Sequence, residues 1–157
     1  SRPTAGHRGH QQLLRTASMK DSTIGSLVQL RFWQHIQNGA LTVIPDMGGE
    51  SLGIPIRRVF TITGVPPGGI RGDHAHKYCT QVLVCLHGRV SAVLDDGRSH
   101  CRIVLDSPEQ GLSIPPGIWN HIIFEGTGTV LAVFCDHPYD PEDYLRDRQA
   151  YLKYKGI

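Results

Sequence analysis

From Leu27 onward the chain alternates short apolar runs with turn chemistry. The runs over residues 27–32, 40–44, 56–63, 78–86, 89–94, 101–106, 111–114, 121–124 and 130–134 are rich in Val, Ile, Leu and Thr. Between them stand Asn38-Gly39, Gly48-Gly49, His87-Gly88, Asp95-Asp96-Gly97, Pro115-Pro116-Gly117 and Gly126-Thr127-Gly128. Gly and Asn tolerate the positive φ that tight hairpins demand, and β-branched residues suit a pleated surface. Many short runs punctuated this way predict an all-β sandwich or barrel.

Both ends depart from this pattern. Residues 1–26 are polar and without period, which predicts a poorly ordered arm or linker and leaves 27–157 as a single domain. Near the other end, Asp140 suits an N-cap, Pro141 the first helical position, and Glu142 and Asp143 the positive end of a helix dipole. The pattern predicts one C-terminal helix over residues 141–154. Its Tyr144, Leu145, Tyr151 and Leu152 are expected to pack on the barrel wall.

Composition narrows the function classes. The 157-residue chain carries a net charge of only +2. Its Lys and Arg are scattered rather than striped, which argues against nucleic acid. The longest apolar run, near residues 130–135, is too short to cross a bilayer, and no charged-then-apolar leader pattern opens the chain. Cys79, Cys85, Cys101 and Cys135 form no C-x-x-C pair. Reduced thiols and a cytoplasmic location are expected.

The chemistry concentrates in Arg71-Gly72-Asp73-His74-Ala75-His76-Lys77, which follows Pro66-Pro67-Gly68-Gly69. Two His at i and i+2 on an extended segment share one face. Imidazole exchanges protons near neutral pH without special tuning. The pair can bind a metal, move protons, or pack. The run Gly68, His74, His76, Gln81, Gly88 has the spacing of the first cupin motif. A metal-binding cupin has Glu where this chain has Gln81. Its second motif supplies a third imidazole where Pro115-Pro116-Gly117-Ile118-Trp119-Asn120-His121 has Asn120. Amide side chains are poor substitutes for these ligands. Recruiting His121 needs a one-residue shift, which turns a strand side chain to the other face. The balance favours metal-free His chemistry over a metal site.

A wider set of residues carries a resemblance. It comprises Arg57-Arg58-Val59-Phe60, the Arg71–Lys77 motif, Gln81-Val82-Leu83-Val84-Cys85-Leu86-x-Gly88, Leu94-Asp95-Asp96-Gly97, Leu105-Asp106-Ser107-Pro108, Gly111-Leu112, Trp119, and Tyr139-Asp140-x-x-Asp143-Tyr144-Leu145-Arg146. In order, and over about residues 27–154, this resembles the cupin-fold dTDP-4-dehydro-6-deoxy-glucose 3,4-ketoisomerases of deoxyamino-sugar biosynthesis. The resemblance implies an RmlC-like jelly-roll barrel with one C-terminal helix, a homodimer, no metal and no other cofactor. It implies a dTDP-sugar substrate whose 4-keto group becomes a 3-keto group, with His74 and His76 as the catalytic pair. Two positions depart from the family pattern: Phe60-Thr61 stands where Tyr is common, and Asn120 where His or Arg is common. In the family that last position, with one near Asn38, bears on which C4 epimer forms.

The reaction itself indicates partners for the His pair. His74 is assigned the carbon-bound proton and His76 the oxygens. Arg71, Lys77, Gln81 and Asn120 are candidates to meet the developing negative charge. Arg58, Arg71 and Arg102 are candidates for the substrate diphosphate. Trp119 and Tyr139 are candidates to cover sugar or base, and His121 is a further sugar-binding candidate. The rival readings are a non-catalytic cupin that binds a sugar nucleotide, a 3,5-epimerase, and a metal-dependent cupin.

Overall fold

The computed structural model describes residues 24–35, 37–44 and 52–157. The predicted arm up to Thr23 and the Gly48-Gly49 turn lie outside the described residues. The strands are β1 (Ser26–Gln29), β2 (Arg31–His35), β3 (Gly39–Val43), β4 (Arg58–Ile62), β5 (Ile70–His76), β6 (Gln81–Asp95), β7 (His100–Leu105), β8 (Gln110–Ile114), β9 (Trp119–Cys135) and β10 (Tyr144–Leu145), followed by helix α1 (Arg148–Tyr154).

All pairings are antiparallel, and the main sheet runs β1-β8-β6-β9-β5-β10. Two long strands curl it. The first half of β6, residues 81–84, pairs with β8, and its second half, from Val90, pairs with β7. Likewise β9 pairs with β5 through residues 120–123 and with β4 through residues 131–135. Each long strand thus passes from one half of a sandwich to the other, and the halves face each other across the core. This is the curled, cupin-type sheet expected from the sequence.

The halves meet on one apolar face. Leu83, Cys85, Leu131, Val133 and Cys135 pack with Val90, Ala92, Leu94, Ile122 and Phe124 in the main cluster. The intervening Val82, Val84, Ala132 and Phe134 form a second cluster outside it with Leu30, Leu52 and Ile54. Period-2 alternation explains both sets. Ile24 is also buried in the main cluster, so ordered packing begins before residue 27.

Three elements differ from the pattern read in the sequence. His87-Gly88 and Gly126-Thr127-Gly128 bend β6 and β9 rather than ending them, and the ladder shifts register there. Gly88 has φ +81°, and a Cβ on it would sit 2.3 Å from Thr129 Oγ1, so only glycine lets the strands cross this closely. Next, the 27–32 run breaks at Leu30: β1 joins the main sheet, while β2 pairs with β3 in a separate hairpin. Last, the 141–154 helix is three elements. Pro141–Asp143 is a 3-10 turn capped by Asp140, Tyr144–Leu145 is a strand, and α1 starts only after Asp147, whose side chain accepts from the Ala150 amide. The Asp140 cap was legible and the Asp147 cap was not, because a strand partner for Tyr144 overrode helix propensity.

Among the described residues no helix is long and apolar enough to cross a membrane.

Candidate active site

A cavity of about 250 Å³ opens between the two halves of the sheet. Phe60 and Ile62 of β4, Leu83 of β6, and Ile122, Leu131 and Val133 of β9 form its apolar wall. Arg71, His74, Gln81, Asn120, Tyr144 and Arg146 form its polar part.

The motif strand reaches this cavity through a β-bulge. Arg71 pairs with Ile122 and Gly72 with His121, but His74 pairs with Asn120, so Asp73 is the extra residue. Asp73 has φ +63°, and its carboxylate accepts from Trp119 Nε1 at 3.1 Å. An unbroken strand would set Arg71 and His74 on opposite faces. The bulge puts both on the cavity side. Gly72 is required as well: at φ +84° a Cβ there would lie 2.8 Å from Asn120 Oδ1.

His76 continues the same face two residues on. It lies opposite Tyr144 of β10, while Ala75 lies opposite Leu145 on the reverse face. Tyr144 and Arg146, two apart, line the cavity beside His74. The rings form a compact group. His74 and His76 are 5.1 Å apart and nearly perpendicular, and Tyr144 is 5.1 Å from His74 and 4.4 Å from His76. The Arg146 guanidinium stacks 4.3 Å over Tyr144.

Both imidazoles are held neutral. Burial, then His76 and Arg146, pushes His74 down to about 4. Burial also pulls His76 below the ordinary imidazole value, outweighing the opposite pull of Asp143, with Arg58 and Arg146 adding to the depression. Asp143 is lowered: burial opposes this, but hydrogen bonds from the Tyr78 amide and His76 prevail. His76 Nδ1 is 2.6 Å from Asp143 Oδ2. His74 Nδ1 and His76 Nε2 are buried without a protein partner among the described residues.

A second polar layer lies under the wall. Cys135 Sγ accepts from Arg58 Nη2 at 3.5 Å and from Gln81 Nε2 at 3.6 Å. The Cys135 thiol is held below its usual range by Cys79 first, then by Arg58 and Gln81, against burial. Arg58 also reaches the Tyr144 hydroxyl at 3.4 Å. Asn120 Nδ2 donates to the His74 carbonyl at 3.3 Å. Gln81 and Asn120 thus each direct an N–H to the protein.

The structure therefore brings Arg71, His74, Gln81 and Asn120 together and seats His76 and Arg58 behind them. Tyr139 is exposed near the Arg58 guanidinium, 5.5 Å away, and 5.8 Å from Tyr144. The other candidates lie off the cavity. Trp119 and His121 occupy the reverse face of β9; Trp119 packs there with Ala75, Leu145 and Tyr151. Arg102 of β7 binds Ser91 of β6 and Glu125 of β9. Lys77 does not line the cavity, but its amide donates to the Asp143 carbonyl. Asn38 sits in the exposed β2–β3 turn. Tyr144, Arg146, Asp143 and Cys135 line or back the cavity, although the sequence named them only for capping, wall packing, the family resemblance or free thiols. The i and i+2 spacing of Tyr144 and Arg146 marks one face only if the segment is extended, and it had been assigned to a helix.

His76, Cys79 and Asp143 bring possible ligand atoms within 4.8 Å of one another, as do Cys79, Asp136 and His137. In the first group Asp143 is already engaged by His76 and by the Tyr78 and Cys79 amides.

Comparison with known proteins shows the family. The family described as "FdtA: WxcM-like, C-terminal" matches residues 20–156. The TDP-4-oxo-6-deoxy-alpha-D-glucose-3,4-oxoisomerase of Aneurinibacillus thermoaerophilus is 36% identical over 116 residues, covering 74% of this chain and 82% of the relative. The crystal structure of QdtA, a sugar 3,4-ketoisomerase of Thermoanaerobacterium thermosaccharolyticum in complex with TDP, superposes with a TM-score of 0.80 at 32% identity, over 87% of this chain and 97% of that one. A 3,4-ketoisomerase from Helicobacter canadensis gives a TM-score of 0.78 at 27% identity, over 85% and 98%. The bulged Arg-Gly-x-His-x-His strand in a half-barrel cavity and the family match over nearly all the described residues lead to one conclusion: the chain belongs to the WxcM-like, C-terminal (FdtA) family and is an isomerase of the sugar 3,4-ketoisomerase type.

Proposed function

We propose that the chain converts dTDP-4-keto-6-deoxyglucose to the 3-keto isomer by His-mediated proton transfer, with no metal or redox cofactor. The carbonyl at C4 acidifies the C3 proton. Its removal leaves an enediolate across C3 and C4. Return of a proton to C4, and transfer of the hydroxyl proton from O3 to O4, completes the exchange. His74, on the cavity wall, moves the carbon-bound proton, and His76 handles the oxygen-bound one. Neutral imidazoles suit both tasks. Arg71 and Arg146 supply positive charge for the enediolate or the diphosphate. The carbonyl oxygens of Gln81 and Asn120 are suited to accept from sugar hydroxyls.

The observation that carries this reading is the pair of buried, neutral His with unpartnered ring nitrogens, His74 on the cavity wall and His76 directly behind it, 5.1 Å away. The names of the relatives support the substrate class, since one is a TDP-sugar oxoisomerase and another was crystallised with TDP.

The test is incubation with dTDP-4-keto-6-deoxyglucose in deuterated water, followed by NMR of the product. The wild-type chain is expected to yield a 3-keto sugar. His74→Asn and His76→Asn are expected to lose about 10²- to 10⁴-fold in rate. Turnover at the wild-type rate in both variants overturns the proton-transfer assignment. Deuterium at C3 and C5 with the 4-keto group retained indicates a 3,5-epimerase. Binding without turnover indicates a sugar-nucleotide-binding module.

The homodimer belongs to this proposal too. The 27–32 run is paired within the chain on one side only, β1 by β8 and β2 by β3, so among the described residues each keeps an edge that a second copy could extend. A cytoplasmic setting fits the free thiols of Cys79, Cys85, Cys101 and Cys135.

A further inference from the structure

Asp143, behind His76, is held by five hydrogen bonds, two through its backbone and three through its carboxylate. The Asp143 carbonyl accepts from the Lys77 amide at 2.8 Å, and its own amide donates to the Asp140 carbonyl at 3.1 Å. Its Oδ1 accepts from the amides of Tyr78 at 2.8 Å and Cys79 at 3.4 Å. Its Oδ2 faces His76 Nδ1 at 2.6 Å. Asp143 is 3% exposed, so solvent does not compete for these bonds.

An ionised carboxylate only accepts hydrogen bonds. His76 Nδ1 must therefore carry the proton in that contact. A neutral imidazole has one N–H, so Nε2 is then a bare lone pair. Nε2 is buried and has no protein partner among the described residues. The ring also packs against Tyr144 and His74 of the site.

We infer that Asp143 is a positioning residue for the isomerisation: it fixes His76 as the Nδ1–H tautomer and so keeps Nε2 as the proton-accepting atom of that ring. This rests on the proposed ketoisomerase chemistry and deepens it, because it names which atom of the second His acts as base. Asp143 touches no substrate, since it is buried outside the cavity.

The clamp makes one substitution especially informative. In Asp143→Asn two backbone N–H groups still point at the former Oδ1 position. The amide oxygen must occupy that position, which turns the NH₂ toward His76 Nδ1. An N–H there forces Nδ1 to accept and moves the ring proton to Nε2. Asp143→Asn thus inverts the tautomer with almost no change of shape.

The experiment has two arms. In the first, the wild-type chain labelled with ¹⁵N-histidine is read by long-range ¹H–¹⁵N correlation at neutral pH. His76, assigned by its loss in His76→Asn, is expected to show a protonated Nδ1 and a bare Nε2. A protonated Nε2 in the wild type overturns the inference, and this arm needs neither turnover nor a folded Asp143 variant. In the second, Asp143→Asn is expected to show the reversed tautomer, a kcat lower by about 10²- to 10⁴-fold, and TDP affinity within about threefold of wild type. A reversed tautomer with wild-type kcat overturns the inference. A wild-type chain inactive on the dTDP-sugar instead counts against the proposed substrate, while the first arm still decides the tautomer.

Discussion

At Gly72 the site depends on the absence of a single methyl group. Its φ of +84° and the 2.8 Å approach to Asn120 Oδ1 both oppose a side chain. Gly72→Ala is expected to lower folding stability by about 1–3 kcal/mol and to displace Asn120 from the cavity. Urea unfolding and TDP titration check the two effects. The neighbouring His74 sets the pH response. Only its neutral form can accept a proton, and burial holds its pKa down to about 4. The acid limb of kcat/KM is therefore expected well below the ordinary imidazole value of about 6.5. A limb at the ordinary value would place the titrating base elsewhere. The nearness of the two His was legible from spacing alone. The Asp73 bulge was not, because a bulge depends on how Asn120 and His121 pair across the strand.

At the scale of elements, the C-terminal segment shows what local patterning misses. Asp140, Pro141 and Asp143 do start a helical turn, as their residue types require. The turn then ends because Tyr144 and Leu145 find partners in His76 and Ala75. That pairing joins residues 68 and 70 positions apart, and no local signal encodes it. The strands were more legible, since their period of 2 records burial directly. Their joining into β6 and β9 was not, because glycine marks a bend and a turn alike. Helix α1 holds the segment in place. The Tyr151 hydroxyl lies 2.7 Å from the Gly117 carbonyl and 3.1 Å from that of Asp95. Tyr151→Phe leaves these buried acceptors short of a donor, which costs about 1–3 kcal/mol. The loss should appear in the thermal midpoint. It should also raise KM for the dTDP-sugar, because Tyr144 and Arg146 ride on the same segment.

For the whole molecule, the buried His pair makes folding depend on pH in a definite direction. In the unfolded chain each imidazole titrates near 6.5. In the folded chain His74 is lowered to about 4 and His76 is lowered as well. Between these limits the unfolded state binds protons that the folded state refuses, so stability rises with pH across the window. It should be flat with respect to this pair above about 6.5 and fall as pH drops toward 4, by up to about 1.4 kcal/mol per pH unit for each His. Asp143 acts in the same direction at lower pH, since its folded pKa is depressed and its stabilisation is lost as it protonates. Urea unfolding at pH 7, 6 and 5 measures the slope. The wild-type chain is expected to weaken steadily over that series, and His74→Asn to weaken less because one of the two protons is gone. An equal slope in the variant would mean that His74 is not held neutral by the fold. It would also remove the physical reason for treating His74 as a base ready at neutral pH. The same burial that destabilises the molecule in acid thus keeps the site in its proton-accepting form.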